Sequence, residues 1–70
     1  MIESDAEPLS CVARCVVDGE RINKQFVLAV RRDEDDTDTL RRALARAREL
    51  VAFETGWTKR SVRVELVQFR

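Results

Sequence analysis

The sequence predicts an α+β fold, a two-layer β-β-α-β sandwich in which one helix packs on one face of a three-stranded antiparallel sheet of order 2-1-3. Three observations predict this fold. Two strand-like segments flank the dipeptide Asp18-Gly19, residues 37–54 carry apolar side chains at helical spacing, and residues 61–70 alternate between apolar and charged side chains. The order of these segments gives the predicted topology.

Length and composition bound the organisation of the chain. The 70 residues form one domain with a thin core. We expect a flexible acidic arm at residues 1–8 and a single small α+β domain at 9–70. Cys11 and Cys15 would lie roughly 13 Å apart along one strand, too far for a disulfide, so we expect reduced thiols. Reduced thiols, with no visible signal peptide or transmembrane segment, favour a cytoplasmic protein and no membrane partner.

The first two strands are predicted to form a hairpin closed by Asp18-Gly19, because a type I′ turn needs positive φ at both of its central positions. This turn sets the register, placing Val17 opposite Glu20, Cys15 opposite Ile22 and Cys11 opposite Phe26. A three-residue turn with a bulge would change the pairing. With the two-residue turn, one face of the ribbon is apolar except for Lys24; its apolar residues are Leu9, Cys11, Ala13, Cys15, Val17, Ile22, Phe26, Leu28 and Val30.

The helix is predicted from about residue 37 to residue 54. Its apolar stripe follows the i, i+3, i+4, i+7 spacing of an amphipathic helix and consists of Leu40, Ala43, Leu44, Ala47, Leu50 and Val51. Asp35 or Asp36 can serve as the N-cap. Gly56 suits the left-handed position after the helix, and we expect Trp57 to close that cap with an apolar contact.

In the last strand, Val62, Val64 and Leu66 alternate on the helix-covered face, which leaves Val67 and Phe69 on the opposite face. That opposite face combines apolar and polar side chains, as protein interfaces do. We therefore predict a partner-binding sheet face consisting of Val12, Arg14, Val16, Val27, Arg63, Val67 and Phe69. Its partner would be another protein or a second copy in a homodimer. The alternative is that β-branched residues simply favour strands.

Residues 33–38 contain five acids in six positions. Two or three acids are enough to start a helix, so the excess calls for another explanation. We predict an acidic partner-binding surface made of Asp33, Glu34, Asp35 and Asp36, which would meet a basic site on another protein. The alternative is a soluble, well-capped loop.

Nucleic acid is the contending partner. Residues 1–38 hold five basic and ten acidic residues, a net charge of −5, whereas residues 39–70 hold eight basic and three acidic residues, a net charge of +5. The basic half supplies phosphate contacts and one aromatic ring for stacking, namely Arg41, Arg42, Arg46, Arg48, Trp57, Lys59 and Arg60. The neutral total charge weakens this alternative, and protein is the favoured partner because protein binding fits more of the sequence.

Catalysis is not expected. The chain has no histidine and no tyrosine, and its two glycines form no phosphate-binding loop. A calcium loop starting at Asp33 would need glycine and glutamate where Asp38 and Leu44 stand. We therefore predict a non-enzymatic protein without a cofactor or metal.

The organisation of residues 9–69, with an Asp-Gly hairpin, an Ala/Arg-rich helix and a closing strand, resembles small phage-encoded inhibitors, anti-CRISPR proteins among them. The resemblance implies action without catalysis, by occupying a nucleic-acid or protein site on a bacterial effector complex. It also implies that Asp33, Glu34, Asp35 and Asp36 contact a basic groove.

Overall fold

A computed structural model describes residues 6–70 and confirms the predicted fold class. The elements in chain order are β1 (Ala6–Val17), β2 (Glu20–Arg31), α1 (Asp36–Thr55), a 3₁₀ turn (Lys59–Ser61) and β3 (Val62–Phe69). The three strands form one antiparallel sheet of order β2-β1-β3. Helix α1 packs on one face of this sheet, and no second layer of the described chain covers the other face.

The hairpin has the predicted turn and register. Asp18 and Gly19 adopt φ values of 51° and 77°, which a type I′ turn requires. The observed pairs include Val17 with Glu20, Cys15 with Ile22 and Cys11 with Phe26. The turn chemistry therefore fixes which side chains α1 can cover.

Strand β1 is longer than predicted at its start. It begins at Ala6, and Pro8 lies opposite Ala29 of β2. Residues 6–8 of the predicted arm thus belong to the sheet, whereas residues 1–5 lie outside the described residues.

The core consists of small side chains packed between α1 and the covered face. Its buried apolar residues are Cys11, Ala13, Cys15, Val17, Leu28, Ala43, Ala47, Val51, Ala52 and Val62. Ala43 and Ala47 are fully buried, so the middle of α1 contacts the sheet through methyl groups. The predicted stripe is wrong at its first position, where Leu40 is 42% exposed and Thr39 is buried instead.

Both ends of α1 are capped as the sequence predicts. Asp35 is the N-cap, and its carboxylate accepts a hydrogen bond of 3.4 Å from the Thr37 N–H. Gly56 is left-handed with φ 78°, and its N–H donates to the Ala52 carbonyl at 2.9 Å. These caps fix the helix between residues 36 and 55.

A β-bulge in β3 changes the predicted faces of the last strand. Cys15 lies opposite Val64 while Arg14 lies opposite Leu66, so Glu65 is an extra residue in β3. The alternation of side chains shifts by one position after it. Leu66 therefore lies on the uncovered face, and Val67 packs against the core beneath α1.

Lys24, the charged exception on the covered face, forms an ion pair with Glu54 near the end of α1. It lies on the edge strand β2, where an inward-pointing charge discourages pairing with a further strand. Farther along the same edge, Arg42 of α1 donates a hydrogen bond of 2.9 Å to the Ala29 carbonyl. Side chains from α1 thus occupy two points along the β2 edge.

Candidate binding surfaces

The acidic run is engaged largely within the fold. Asp35 caps α1, and Asp33 lies 3.5 Å from Arg31 in an ion pair. Glu34 has a side chain only 10% exposed, and it accepts hydrogen bonds from other side chains. Among the four predicted acidic contacts, Asp36 is the one whose carboxylate has no hydrogen-bond or ion-pair partner within residues 6–70. The fold therefore accounts for most of the acids that helix capping alone left unexplained.

Glu34 is the centre of a small polar network at the start of α1. The Thr39 hydroxyl donates to its carboxylate at 2.8 Å, and the Arg42 guanidinium forms an ion pair with it. The Thr39 hydrogen bond is the largest of the effects that lower the pKa of Glu34, with Arg42 adding to it. This network joins the loop before α1 to the helix, so Glu34 has a structural role.

Five of the seven residues of the predicted sheet face lie on the uncovered side of the sheet. Val12, Arg14, Val16, Val27 and Arg63 lie on the uncovered face, and Val27 is 64% exposed. The placement of the other two predicted residues is wrong, because the bulge at Glu65 turns Val67 and Phe69 to the helix-covered side. Leu66, which is 44% exposed, takes their place.

We use "sheet face" below for the part of the uncovered surface nearest the hairpin turn. They are Val12, Arg14, Val16, Arg21, Asn23, Gln25, Val27, Arg63, Glu65, Leu66 and Gln68. Arg21 and Glu65 approach to 3.8 Å across β1. Within residues 6–70, Arg14 and Arg63 have no ion-pair partner. The sheet face is therefore apolar in part and positively charged.

The predicted basic set divides into two groups. Arg41 lies 3.9 Å from Asp38, and Arg42 is held by Glu34 and the Ala29 carbonyl. These two arginines serve the start of the helix. The second group lies toward the end of α1 and in the turn that follows it; it comprises Arg46, Arg48, Lys59 and Arg60.

The second group keeps most of its charge unpaired. Arg46 pairs with Glu49 at 4.0 Å. Arg48, Lys59 and Arg60 line one shallow hollow beside α1 and form no ion pair with residues 6–70. Glu49 lines the same hollow, so three positive charges lie close together around one carboxylate that already pairs with Arg46.

The same end of the helix exposes aromatic side chains. Phe53 is 89% exposed and Trp57 is 47% exposed, although Val51 and Ala52 between them and the sheet are buried. Leu50, Phe53 and Trp57 line one hollow together with Arg46, Glu49 and Lys59; we call these residues, with Arg48 and Arg60, the helix-end surface. Trp57, which the sequence predicts to close the helix cap, is half-exposed and lines this hollow beside Ala52.

The exposed side chain of Phe53 was not predicted from the sequence. The apolar stripe of α1 ends at Val51, and Phe53 lies outside it. An aromatic residue outside the buried stripe, three positions after Leu50, was the available signal.

Cys11 and Cys15 are both free and buried, and burial raises the pKa of each thiol. Buried thiols with raised pKa values make weak nucleophiles. Nowhere in residues 6–70 do three or more metal-binding side chains come together. Among the same residues, no helix is both long and apolar enough to cross a membrane.

Comparisons with protein-family models, with curated proteins and with solved structures gave no match for this chain. The resemblance to phage inhibitors therefore stays a prediction. The described surfaces are the basis for the function proposed below.

Proposed function

We propose that the protein acts without catalysis, by binding another protein through the helix-end surface. The observation that carries this proposal is the exposure of Phe53, 89% of whose surface faces solvent on a capped helix. Fully burying a phenylalanine side chain contributes about 1.5–3 kcal/mol, and this fold obtains only a small fraction of that contribution from Phe53. A partner that covers Phe53 would obtain it.

The arrangement resembles the anchor of a helix bound in a groove. Leu50 and Phe53 are three positions apart on α1, and Trp57 follows directly after the left-handed Gly56. Apolar anchors at such spacing insert into apolar grooves, and aromatic residues dominate the energetics of interfaces. Because Val51 is buried and holds the helix in place, the anchors are already ordered before binding.

Charge defines the partner further. Arg48, Lys59 and Arg60 border the anchors and are unpaired within residues 6–70. Complementary charge at the rim of an interface favours encounter and specificity. We therefore propose a partner with an apolar groove and an acidic rim.

The acidic run is the other surface through which a protein partner could be bound, as in an inhibitor that occupies a basic site. Glu34 and Asp35 are already engaged within the fold, which leaves Asp36 as its freest carboxylate. The helix-end surface has three unpaired cations and exposed aromatic rings, so it offers a partner more free groups than the acidic run does. This is why we propose the helix end as the principal contact.

Affinity capture from the native host, after nuclease treatment, tests the proposal with two matched variants. Phe53→Gln removes the anchor, and Val27→Gln removes another exposed apolar residue, from the opposite layer. We expect wild-type protein and Val27→Gln to capture the same protein and Phe53→Gln to lose it. With the purified partner, Phe53→Gln should weaken binding by about tenfold or more, the loss expected for an interface hot spot. Equal capture by Phe53→Gln would contradict the proposal.

Single-stranded nucleic acid is the second candidate for the same surface. Exposed Phe53 and Trp57 could stack on bases while Arg48, Lys59 and Arg60 contact phosphates. Trp57 is the sole tryptophan, so its fluorescence reports directly on this surface. Quenching by oligothymidine that weakens steeply with salt would favour nucleic acid, and unchanged fluorescence would leave protein as the partner.

A further inference from the structure

We propose that the sheet face binds double-stranded DNA by entering the major groove. This is a separate function from that of the helix-end surface, since the sheet face lies on the opposite layer. The observation that points to DNA binding is the set of residue types in three rows of side chains that run across the strands. These rows are Gln25–Val12–Gln68, Asn23–Arg14–Leu66 and Arg21–Val16–Arg63.

The side chains in these rows match the chemistry of base edges. Arginine makes paired hydrogen bonds to guanine, asparagine and glutamine make them to adenine, and apolar groups contact the methyl group of thymine. Every polar residue in the three rows is one of those three types, and each row also contains an apolar residue. Lysine is absent from the sheet face, and its one acid, Glu65, pairs with Arg21 at 3.8 Å.

Charge favours an anionic occupant. Arg14 and Arg63 lie on neighbouring strands, are exposed, and form no ion pair within residues 6–70. In a face-to-face homodimer, these arginines would lie against the same positive face of the second copy. Like charges in that position oppose association, whereas phosphate groups would offset them.

Size is also compatible with the groove. Neighbouring strands lie about 4.8 Å apart, so three strands span about 10 Å between their outer axes. The major groove of B-DNA is about 12 Å wide and admits a two-stranded β-ribbon, so two neighbouring strands would enter the groove while the third lies at its rim. No described segment covers the sheet face, so it could approach DNA without rearrangement of the fold.

Fluorescence anisotropy with a labelled duplex of about 20 base pairs, at about 50 mM salt, tests the proposal. The test variant combines Arg14→Ala with Arg63→Ala. The control combines Arg32→Ala with Arg41→Ala, which removes the same charge from residues outside the sheet face. Circular dichroism confirms that both variants are folded.

We expect wild-type binding with a Kd on the order of 1–100 μM that weakens steeply with salt. The test variant should bind at least about tenfold more weakly, while the control stays close to wild type. Equal weakening in both variants would mean that charge acts without a defined site, and would overturn the proposal. Undetectable wild-type binding at low salt would overturn it too. So would equal competition by polyglutamate and by unlabelled duplex, which would indicate an acidic protein site instead.

Discussion

The bulge at Glu65 determines which of two adjacent residues packs against the core, and matched substitutions to aspartate test it. Val67 lies opposite Ala13 and packs against both parts of the core, whereas Leu66 lies opposite Arg14 on the sheet face. Val67→Asp would place a carboxylate beneath α1. Leu66→Asp would place the same group beside an arginine in water.

The expected difference follows from burial and charge. Val67→Asp loses the apolar burial of a valine, about 1–2 kcal/mol for a partly buried side chain, and adds the desolvation of a carboxylate. We expect a total loss of at least about 3 kcal/mol. Leu66→Asp loses apolar contact from a residue that is 44% exposed, and a cross-strand pair with Arg14 returns about 0.2–1 kcal/mol. Its net loss should be about 1 kcal/mol or less.

Urea denaturation followed by Trp57 fluorescence and by circular dichroism measures both losses as changes in the free energy of unfolding. Deletion of Glu65 supplies a second check, because it removes the extra residue and leaves Leu66 and Val67 on their present faces. The deletion should lower the free energy of unfolding by about 1 kcal/mol or less, because the interaction it removes is the exposed ion pair between Arg21 and Glu65. A regular strand without a bulge would reverse the order of the two aspartate variants, and that result would refute the assignment.

Three further outcomes are expected. Gly56→Ala should cost about 1–2 kcal/mol of unfolding free energy in urea titrations, because φ is 78° there while an added Cβ meets no atom within 4 Å; an unchanged value would argue against the left-handed cap. Thr39→Val should raise the pKa of Glu34 in an NMR titration, and the stability from this lowered pKa should be lost as pH falls below the ordinary glutamate range; an unmoved pKa would exclude the hydrogen bond as its cause. Because burial raises the thiol pKa of Cys11 and Cys15, the free energy of unfolding should fall as pH rises above about 8.5, where the thiols of the unfolded chain ionise first. A variant with Cys11→Ala and Cys15→Ala should lack that fall, and the same fall in both proteins would assign it to other groups.

Much of the fold could be predicted because local chemistry determined it. The Asp18-Gly19 turn favours one hairpin geometry, and that geometry fixed the pairing of all residues between β1 and β2. The caps at Asp35 and Gly56 were readable for the same reason, since each satisfies backbone groups with a particular residue type.

The bulge was harder to predict because period-two alternation continues on either side of it. Apolar residues occupy even positions at Val62 and Val64 and odd positions at Val67 and Phe69. Leu66 fits the even series, so a regular strand explained the pattern nearly as well. Only the packing of Val67 against α1 separates the two arrangements.

The candidate sites were less predictable than the fold. The acids of residues 33–38 were predicted to form a binding surface. In the structure, Arg42 contacts both the Glu34 carboxylate and the Ala29 carbonyl, and only the tertiary fold brings these three residues together. Phe53 was missed for a related reason, since the spacing of apolar residues does not show where the sheet ends. Whether Phe53 is exposed depends on how far the sheet extends beneath the end of α1.

The free energy of unfolding of Phe53→Gln tests the central claim most directly, because it asks whether Phe53 contributes to the fold. Urea denaturation should give a value within about 0.5 kcal/mol of wild type, as for an exposed position. The neighbouring Val51→Gln, at a fully buried position, should lose at least about 3 kcal/mol in the same assay. A loss above about 2 kcal/mol for Phe53→Gln would show that the ring packs within the protein, and the helix-end surface would then not be kept for a partner.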